Sequence, residues 1–449
     1  MNILLISANT CKVPYPVYPL GLEYVAGMLP SRHQVKIIDM NLIRDVTDIS
    51  GLIQDFNPQI IGLSIRNVDN VDIAESRDFV GEYRRLVDVI RGCSKARIVL
   101  GGSGFTIFAE ELMTVLNGDF GVLGEGERFL SLVDALEKGE NALGLAGVIT
   151  GRCAPVMPDP WQSHITRRFE VGNPLVPFYF RHGGIFNLQT KRGCPFGCIY
   201  CTYTHIEGRI LRRTPPEEVA QMAKTLEQAG AKYFFITDAS FNSDYDHSRA
   251  VAKAFIQVGL SVPWGAFLTP TLPPPDYYRI LADAGMTHVE FGTESLSAAM
   301  LTAYRKPFAV QDVFRTHDQA REAGLCIAHY FLLGGPGEND DTLSETYANV
   351  KKVNRSVFFF FCGVRIYPHT ELYRIALADG QIANGQSLLD PVFFKPKGLS
   401  SAEIIQRTAA QAAGRSNWII GSGGERTARI LSRLYARGHT GPLWESLIA

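Results

Sequence analysis

The chain has 449 residues, with 44 Lys and Arg against 45 Asp and Glu, for a formal net charge of −1. That length exceeds the ~250–300 residues at which a single hydrophobic core stops growing, so two or three packed units are expected. The charge balance excludes a general nucleic-acid or anionic-membrane surface and leaves only local basic clusters such as Arg209, Arg212 and Arg213.

Met1 leads directly into the strand-like run Asn2-Ile-Leu-Leu-Ile-Ser7 rather than a charged, then apolar, then small-residue segment. No secretory signal is therefore expected, and the expected compartment is the cytoplasm. Residues 1–150 alternate short apolar runs with helical periodicity. Asn2–Ser7, Val35–Asp39, Gln59–Ser64, Arg97–Gly101 and Phe120–Leu123 read as strands, which predicts a doubly wound parallel sheet of flavodoxin-like order. Ligands of such sheets bind beyond the carboxyl ends of the strands, at the switch point.

Three loops stand there: Ser64-Ile-Arg-Asn67, Gly101-Gly-Ser-Gly-Phe105 and Gly124-Glu-Gly-Glu127. Glycines let a large planar or phosphate-bearing ligand approach the backbone, and a helix that follows offers free amides. The candidate binding residues are Ser64, Asn67, Gly101, Gly102, Ser103, Gly104, Gly124, Glu125, Gly126 and Glu127. Taken alone, Gly101-Gly-Ser-Gly is equally an ordinary strand-to-helix turn.

Residues 151–184, punctuated by Pro155, Pro158, Pro160, Pro174 and Pro177, lack sustained periodicity and read as a linker. Residues 185–372 alternate again. The runs Phe186–Arg192, Tyr233–Asp238, Val262–Leu268, Thr287–Gly292, Cys326–Leu333 and Val357–Arg365 read as strands, with helical stretches such as Pro216–Ala229 and Val310–Ala323 between them. Six such units predict a partial (β/α)6 barrel, whose chemistry belongs at the carboxyl ends of its strands. The longest apolar stretch, Val357–Val364, falls far short of the ~20 residues that span a bilayer, so it is a buried strand and no membrane span is expected. Residues 373–449 read as a helical C-terminal region in which Thr408–Ala413 and Ala428–Leu434 are the most periodic pieces. Trp418 and Trp444 read as packing residues.

The first barrel strand runs into Lys191-Arg-Gly-Cys-Pro-Phe-Gly-Cys-Ile-Tyr-Cys-Thr202. Cys194, Cys198 and Cys201 form a C-x3-C-x2-C array with Tyr200 before the last cysteine, a spacing that lets three thiolates converge on an iron–sulfur cluster. Because four thiolates normally fill the iron sites, three leave one iron open. A zinc site completed by His205 is the alternative. Cys11, Cys93, Cys153, Cys326 and Cys362 are scattered among apolar residues, as reduced core thiols are.

The cysteine array resembles the radical S-adenosylmethionine (SAM) loop, and the three loops ahead of it resemble the cobalamin-binding domain of cobalamin-dependent radical SAM enzymes. The resemblance covers roughly residues 1–372 and implies that the open iron binds SAM and delivers the electron that cleaves it. Thr237-Asp-Ala-Ser-Phe-Asn242 resembles the family's Asp-x-x-Phe-Asn segment, which implies Asp238 and Asn242 near the SAM amine. Glu290-Phe-Gly-Thr-Glu-Ser295 is similar to a Gly-x-Glu-Ser segment, which implies Glu294 and Ser295 at the ribose. Leu333-Gly-Gly-Pro-Gly-Glu338 resembles a Gly-x-Pro-Gly-Glu turn, which implies Gly335 beside the adenine. Arg365-Ile-Tyr-Pro-His-Thr370 resembles Tyr-Pro-Gly-Thr, with His369 in place of Gly. Plain turns explain the Asn242, Gly335 and His369 segments as well.

His33 lacks the Asp and Gly of the Asp-x-His-x-x-Gly loop that ligates cobalt in other cobalamin proteins, so no histidine is expected beneath the cobalt. A scaffold that has lost its cofactor is the alternative. The resemblance implies a cobalamin-dependent radical SAM methyltransferase with a [4Fe-4S] cluster, SAM and cobalamin as cofactors. It implies methylation of an unactivated carbon of a small-molecule or lipid-like substrate through a 5′-deoxyadenosyl radical. An external one-electron donor such as flavodoxin or ferredoxin is the implied partner, and no nucleic acid. The rivals are a cobalamin enzyme that rearranges, contracts or cyclises without methyl transfer, and a non-catalytic SAM- or redox-sensing iron–sulfur protein. A methylthiotransferase would need a second cluster upstream, for which Cys11, Cys93 and Cys153 are too widely spaced.

Overall fold

In the computed structural model, Ile3, Leu4, Leu5 and Ile6 are each no more than 1% exposed, so the first strand is buried on both faces. Such strands read as unbroken apolar runs and pair in parallel under helices. The structure describes residues 1–448 except Val13, Ala74, Glu75, 152–155, His164 and Val171; Cys153 and Pro155 thus lie outside the described residues.

The first sheet contains β1 (Asn2–Ser7), β2 (Gln34–Asp39), β3 (Ile60–Ser64), β4 (Arg97–Gly101), β5 (Phe120–Val122) and β6 (Val148–Ile149), in the order β2-β1-β3-β4-β5-β6. The first five are parallel in the flavodoxin-like order. The sixth, antiparallel and two residues long, was not expected, because so short an edge piece carries no readable period. Helices Val80–Cys93 and Ala109–Leu116 cover one face, and Leu20–Met28 and Phe129–Lys138 the other. Register pairs Ser7 with Ser64 and Ser64 with Gly101, so the carboxyl ends of β1, β3 and β4 finish level.

The linker contains a helix, Val176–Arg181, that the sequence reading treats as loop. Pro177 starts this helix rather than breaking a chain, because the first helical turn needs no N–H from it. The linker is also tied down: Arg167 pairs with Glu23 at 2.6 Å and donates to the carbonyl of Asn187 at 2.9 Å.

The expected strand Phe186–Arg192 divides in two. β7 (Ile185–Leu188) enters the second sheet, whereas β8 (Lys191–Arg192) pairs antiparallel with β9 (Arg212–Arg213). The second sheet continues with β10 (Tyr233–Ile236), β11 (Trp264–Leu268), β12 (Met286–Glu294), β13 (Cys326–Leu333), β14 (Ser356–Cys362) and β15 (Trp418–Ile420). All seven are parallel, in the order β7-β10-β11-β12-β13-β14-β15. β15 corrects the reading of residues 373–449 as purely helical: helices Ser401–Ala412 and Gly424–Ala436 form, and between them Trp418 packs against Phe360, tilted 35° with centroids 4.9 Å apart.

The tail after β15 returns across the open side of the sheet, where Gly441 N donates to Gly183 O just ahead of β7 at 2.9 Å. A buried pair, Arg365 with Asp69 at 3.0 Å, ties the end of the barrel to the first sheet's loops. Among the described residues no helix is long and apolar enough to cross a membrane.

Candidate cofactor site

The cysteine loop is held from both ends. At its start Lys191, buried at 2% exposure, donates from Nζ to Asp238 Oδ2 and to the carbonyl of Phe241, both at 2.8 Å. Asp238 also accepts from the Thr190 amide (2.7 Å), the Thr190 hydroxyl (2.6 Å) and the Lys191 amide (3.3 Å). Its carboxylate thus fixes the loop to the end of β10. Gly193 has φ +90°, and a Cβ there would lie 2.2 Å from the Ile210 carbonyl oxygen, so only glycine fits. Beyond it, Cys194 N donates to Gly208 O at 3.1 Å, Ile199 N to Tyr304 O at 3.3 Å, and Leu372 N to Ile199 O at 2.8 Å.

The three thiols share one partly buried space. Burial raises the Cys194 thiol pKa, and the charge of Cys198 raises it further. Cys201 is pushed up to about 12 by burial, then lowered somewhat by the Tyr203 amide and raised again by Cys198 and Cys194. Cys194 and Cys201, whose thiols burial keeps from ionising, belong to a set that a multivalent metal centre would stabilise as thiolates.

Glu294 ends β12 at a register irregularity with φ +63°, a conformation uncommon outside glycine. Its Oε1 lies 3.4 Å from Lys306 Nζ, which is also 3.3 Å from the Tyr200 hydroxyl and lies over the rings of Tyr200 and Phe308. Burial pulls the Lys306 pKa down, but the charges of Glu294 and Cys198 outweigh it and leave it raised. Tyr200 meets Tyr304 edge-on at 5.6 Å. Tyr304 in turn donates to Leu332 O at 2.7 Å, and its ring lies where a Gly335 Cβ would be, 2.2 Å from Cε1. Gly335 is therefore required by packing.

Asn242 is likewise engaged within the protein, accepting from the Thr269 amide at 2.8 Å and donating to the Thr269 carbonyl at 2.7 Å. Ser295 is fully buried and shares a 3.0 Å hydrogen bond with Thr346. Tyr200 and Glu294 meet at the cysteine loop through Lys306, while Asp238, Asn242 and Ser295 are hydrogen-bonded within the protein.

The loops of the first sheet knit into a platform. Ile65 N donates to Gly101 O at 2.7 Å, Gly104 N to Ile65 O at 3.0 Å, and the Ser103 hydroxyl to Arg66 O at 3.0 Å. A Cβ on Gly102 would lie 2.6 Å from Ile65 O and one on Gly104 2.9 Å from Arg66 O. A Cβ on Gly101 would make ordinary contact with Val122, 3.8 Å from its carbonyl oxygen. Thr106 Oγ1 donates to Gly102 O and accepts from Gly124 N, both at 3.0 Å, which joins the third loop to the other two. Ser64 sits level with Gly101 at the strand ends, while Asn67 accepts from Arg66 Nε at 2.8 Å. His33, in contact with the N-terminal amine at 3.2 Å, stands at the amino ends of the strands, away from this platform.

Glu125 and Glu127 are both engaged with the β8–β9 ribbon. Glu125 accepts from Arg192 Nη1 at 2.9 Å, from Arg212 Nη1 at 2.6 Å and from the Trp161 amide at 2.6 Å. Glu127 pairs with Arg192 at 2.8 Å. Both carboxylates clamp the platform to the β8–β9 ribbon beside the cysteine loop, while Gly126 makes room for Val25. A second junction lies just beyond Cys201. The rings of His205 and His369 stack 4.1 Å apart and 7° from parallel, and His369 takes φ +65° where the family turn has glycine. Burial, then His369, pushes the His205 pKa down to about 4, opposed by a hydrogen bond with the Thr106 backbone on the platform helix Ser103–Ile107.

The family model of the Radical SAM superfamily matches residues 188–350, and that of the B12 binding domain matches residues 6–133. The chain belongs to the cobalamin-binding-domain radical SAM enzymes. An uncharacterized methyltransferase, PH0819 of Pyrococcus horikoshii, is 28% identical over 404 residues, covering 86% of this chain and 85% of that protein. The tryptophan 2-C-methyltransferase of Streptomyces laurentii is 23% identical over 448 residues, covering 83% and 74%. The structure of the radical SAM methyltransferase TsrM from Kitasatospora setae, with tryptophan and a SAM analogue bound, has the same fold. It superposes with a TM-score of 0.88 at 22% identity over 99% of this chain and 97% of that one.

This radical SAM enzyme is of the cobalamin-dependent methyltransferase type, with a [4Fe-4S] cluster, SAM and cobalamin as its cofactors. The residues present fit them. Three free cysteines gathered on one partly buried loop suit a cluster, and glycines packed against neighbouring backbone leave a side-chain-free edge for a large flat ligand. Lys306 is the residue beside the cysteine loop that the sequence reading leaves without a role, and His205 enters that reading only as a zinc ligand, not as the partner of His369. Lys306 follows Arg305 in an unremarkable turn, and no spacing signals its partner Tyr200, 106 positions away.

Proposed function

We propose that this enzyme transfers a methyl group to a carbon atom of a small molecule, with Cys194, Cys198 and Cys201 holding the cluster and the platform of Ser64–Asn67, Gly101–Gly104 and Gly124 holding cobalamin. The observation that carries the reading is the junction of the two units. His205, just after Cys201, hydrogen-bonds to the Thr106 backbone of the platform helix and stacks on His369, which bonds to the Ile107 backbone of the same helix, so the cysteine loop is held beside the platform. A relative named for 2-C-methylation of tryptophan supports carbon as the acceptor. When bound, the cluster supplies an electron to SAM and cobalamin carries the methyl group.

The chain's own residues orient and shield. Asp238 and Lys191 set the height of the cysteine loop, Lys306 offsets the negative charge of Glu294 and the thiolates, and Glu125 with Arg192 and Arg212 keeps the cleft walls together. An external one-electron donor such as flavodoxin or ferredoxin completes the system, and the cytoplasm is the compartment that fits reduced thiols.

The test is anaerobic reconstitution, followed by incubation with methyl-deuterated SAM, a reductant and candidate substrates. About four irons per chain are expected, lost when Cys201 is changed to Ala. S-Adenosylhomocysteine and 5′-deoxyadenosine should appear in about equal amounts with a labelled product, since SAM serves both as methyl source and as radical source. 5′-Deoxyadenosine without label in any product would instead indicate a rearrangement, and neither product would sink the reading.

A further inference from the structure

His33 stands just ahead of β2, at the opposite end of the first sheet from the cofactor loops, and its side chain is 0% exposed. Its Nδ1 faces the Met1 amine at 3.2 Å, while Nε2, equally buried, has no hydrogen-bond partner. A buried polar nitrogen left alone costs about 1–3 kcal/mol and calls for an ion, a water or a ligand. Nε2 points toward the helix Phe129–Lys138, where Glu137 Oε2 lies 3.9 Å away, too far for a hydrogen bond.

Asp134 and Glu137 are three positions apart and so share one face of that helix. One ligand atom from each of His33, Asp134 and Glu137 lies within 4.8 Å of the other two. Arg32 crosses this group, its Nη2 on Asp134 Oδ1 at 2.7 Å and its Nε on Glu137 Oε2 at 3.0 Å. The guanidinium balances one of the two negative charges and leaves the imidazole nitrogen unmet. With its side chain 51% exposed, Arg32 can swing into solvent at small cost, because exposed ion pairs contribute only ~0–1 kcal/mol each.

A divalent ion would answer all three groups at once. Bonds of about 2.0–2.2 Å to imidazole nitrogen and carboxylate oxygen set tetrahedral ligands about 3.4 Å apart, so the three groups need to draw in by little more than about 1 Å. One nitrogen and two carboxylate oxygens suit zinc, whereas calcium and magnesium favour oxygen alone. Through Nε2 the neutral ring would bind with its proton on Nδ1, facing the Met1 amine.

We propose that His33, Asp134 and Glu137 form a zinc site, completed by water, that pins the entry to β2 onto the helix Phe129–Lys138. Arg32 is the residue that the ion displaces. The site stands independently of the methyltransferase reading.

Two full-length proteins dialysed against a graded series of Zn²⁺, with bound metals counted by elemental analysis, test this. One is the anaerobically reconstituted enzyme, and the other carries Ala at Cys194, Cys198 and Cys201, which removes the thiols that would compete for zinc. Each should bind one zinc per chain, with the iron of the first unchanged. In the cysteine-free protein, His33→Ala and Glu137→Gln should each weaken zinc at least about a hundredfold, since losing even a partner of a ligand costs about 10–100-fold. Arg32→Ala should tighten it about threefold to tenfold by removing the competing cation. Zinc should also raise the melting temperature, and Glu137→Gln should cancel that rise. Absence of zinc from either protein, zinc taken up only as iron is lost, undiminished affinity in His33→Ala or Glu137→Gln, or weaker binding in Arg32→Ala would overturn the proposal. Glu137 lies on the surface, so its variant keeps the test decisive where the buried His33→Ala protein fails to fold.

Discussion

Lys306 Nζ lies 3.4 Å from Glu294 Oε1 at the mouth of the barrel, with the two side chains 6% and 15% exposed. The lysine also sits in the field of the cysteine loop, so one ammonium serves two clusters of negative charge. Removing it as Lys306→Met leaves Glu294 buried and uncompensated, which should cost about 3–5 kcal/mol. The double variant Lys306→Met with Glu294→Gln should recover much of that loss. Denaturant midpoints of the cofactor-free proteins measure both.

The stacked histidines predict a pH dependence. His205 is held neutral down to about pH 4 in the folded chain against an ordinary value of 6.5. Its folded pKa is thus below its unfolded one, and the unfolded chain binds the extra proton first. The contribution of His205 is complete above pH 6.5 and is lost progressively as pH falls from 6.5 towards 4. Melting temperatures across that range should fall more steeply for wild type than for His205→Gln.

Gly193 is a steric requirement. Gly193→Ala places a methyl group against the Ile210 carbonyl at a backbone angle that costs an L-residue about 1–2 kcal/mol before any clash. Displacement of Cys194 should follow, with a large fall in bound iron. Gly259→Ala, at a positive φ with open space around it, should lose stability but keep its iron.

Glu125 is a clamp between two units. Glu125→Gln keeps its size but removes the charge that Arg192 and Arg212 share, so thermal stability should drop and limited proteolysis between the units should accelerate. Corrin bound per folded chain should stay unchanged. Loss of the corrin spectrum at full folding would return Glu125 to the ligand surface.

The parts of this fold that could be read from the chain are those whose burial leaves a pattern. Ile3 to Ile6 announce a parallel strand because both faces are covered, and Cys194, Cys198 and Cys201 announce a metal centre because their spacing is local. β6 and β15, at two and three residues, are shorter than any period. The protein partners of Glu125 and Asp238 are not legible, because a carboxylate at a strand end does not reveal which cation meets it in space. Those partners stand 67 and 47 positions away, in Arg192 and Lys191. Lys306 escaped for the same reason, since charge pairing in space leaves no trace in spacing.

The tail that returns from β15 to Gly183 closes the barrel without being one of its staves. It brings Trp444 onto Glu290 from outside the strand order, with Leu447 and Ile448 against Tyr330 and Phe359, so this side of the sheet is covered by a segment that carries neither the cysteine loop nor the platform loops. Selection could lengthen, shorten or replace this shutter and thereby admit a different molecule, while the machinery that makes and delivers the methyl group is inherited untouched.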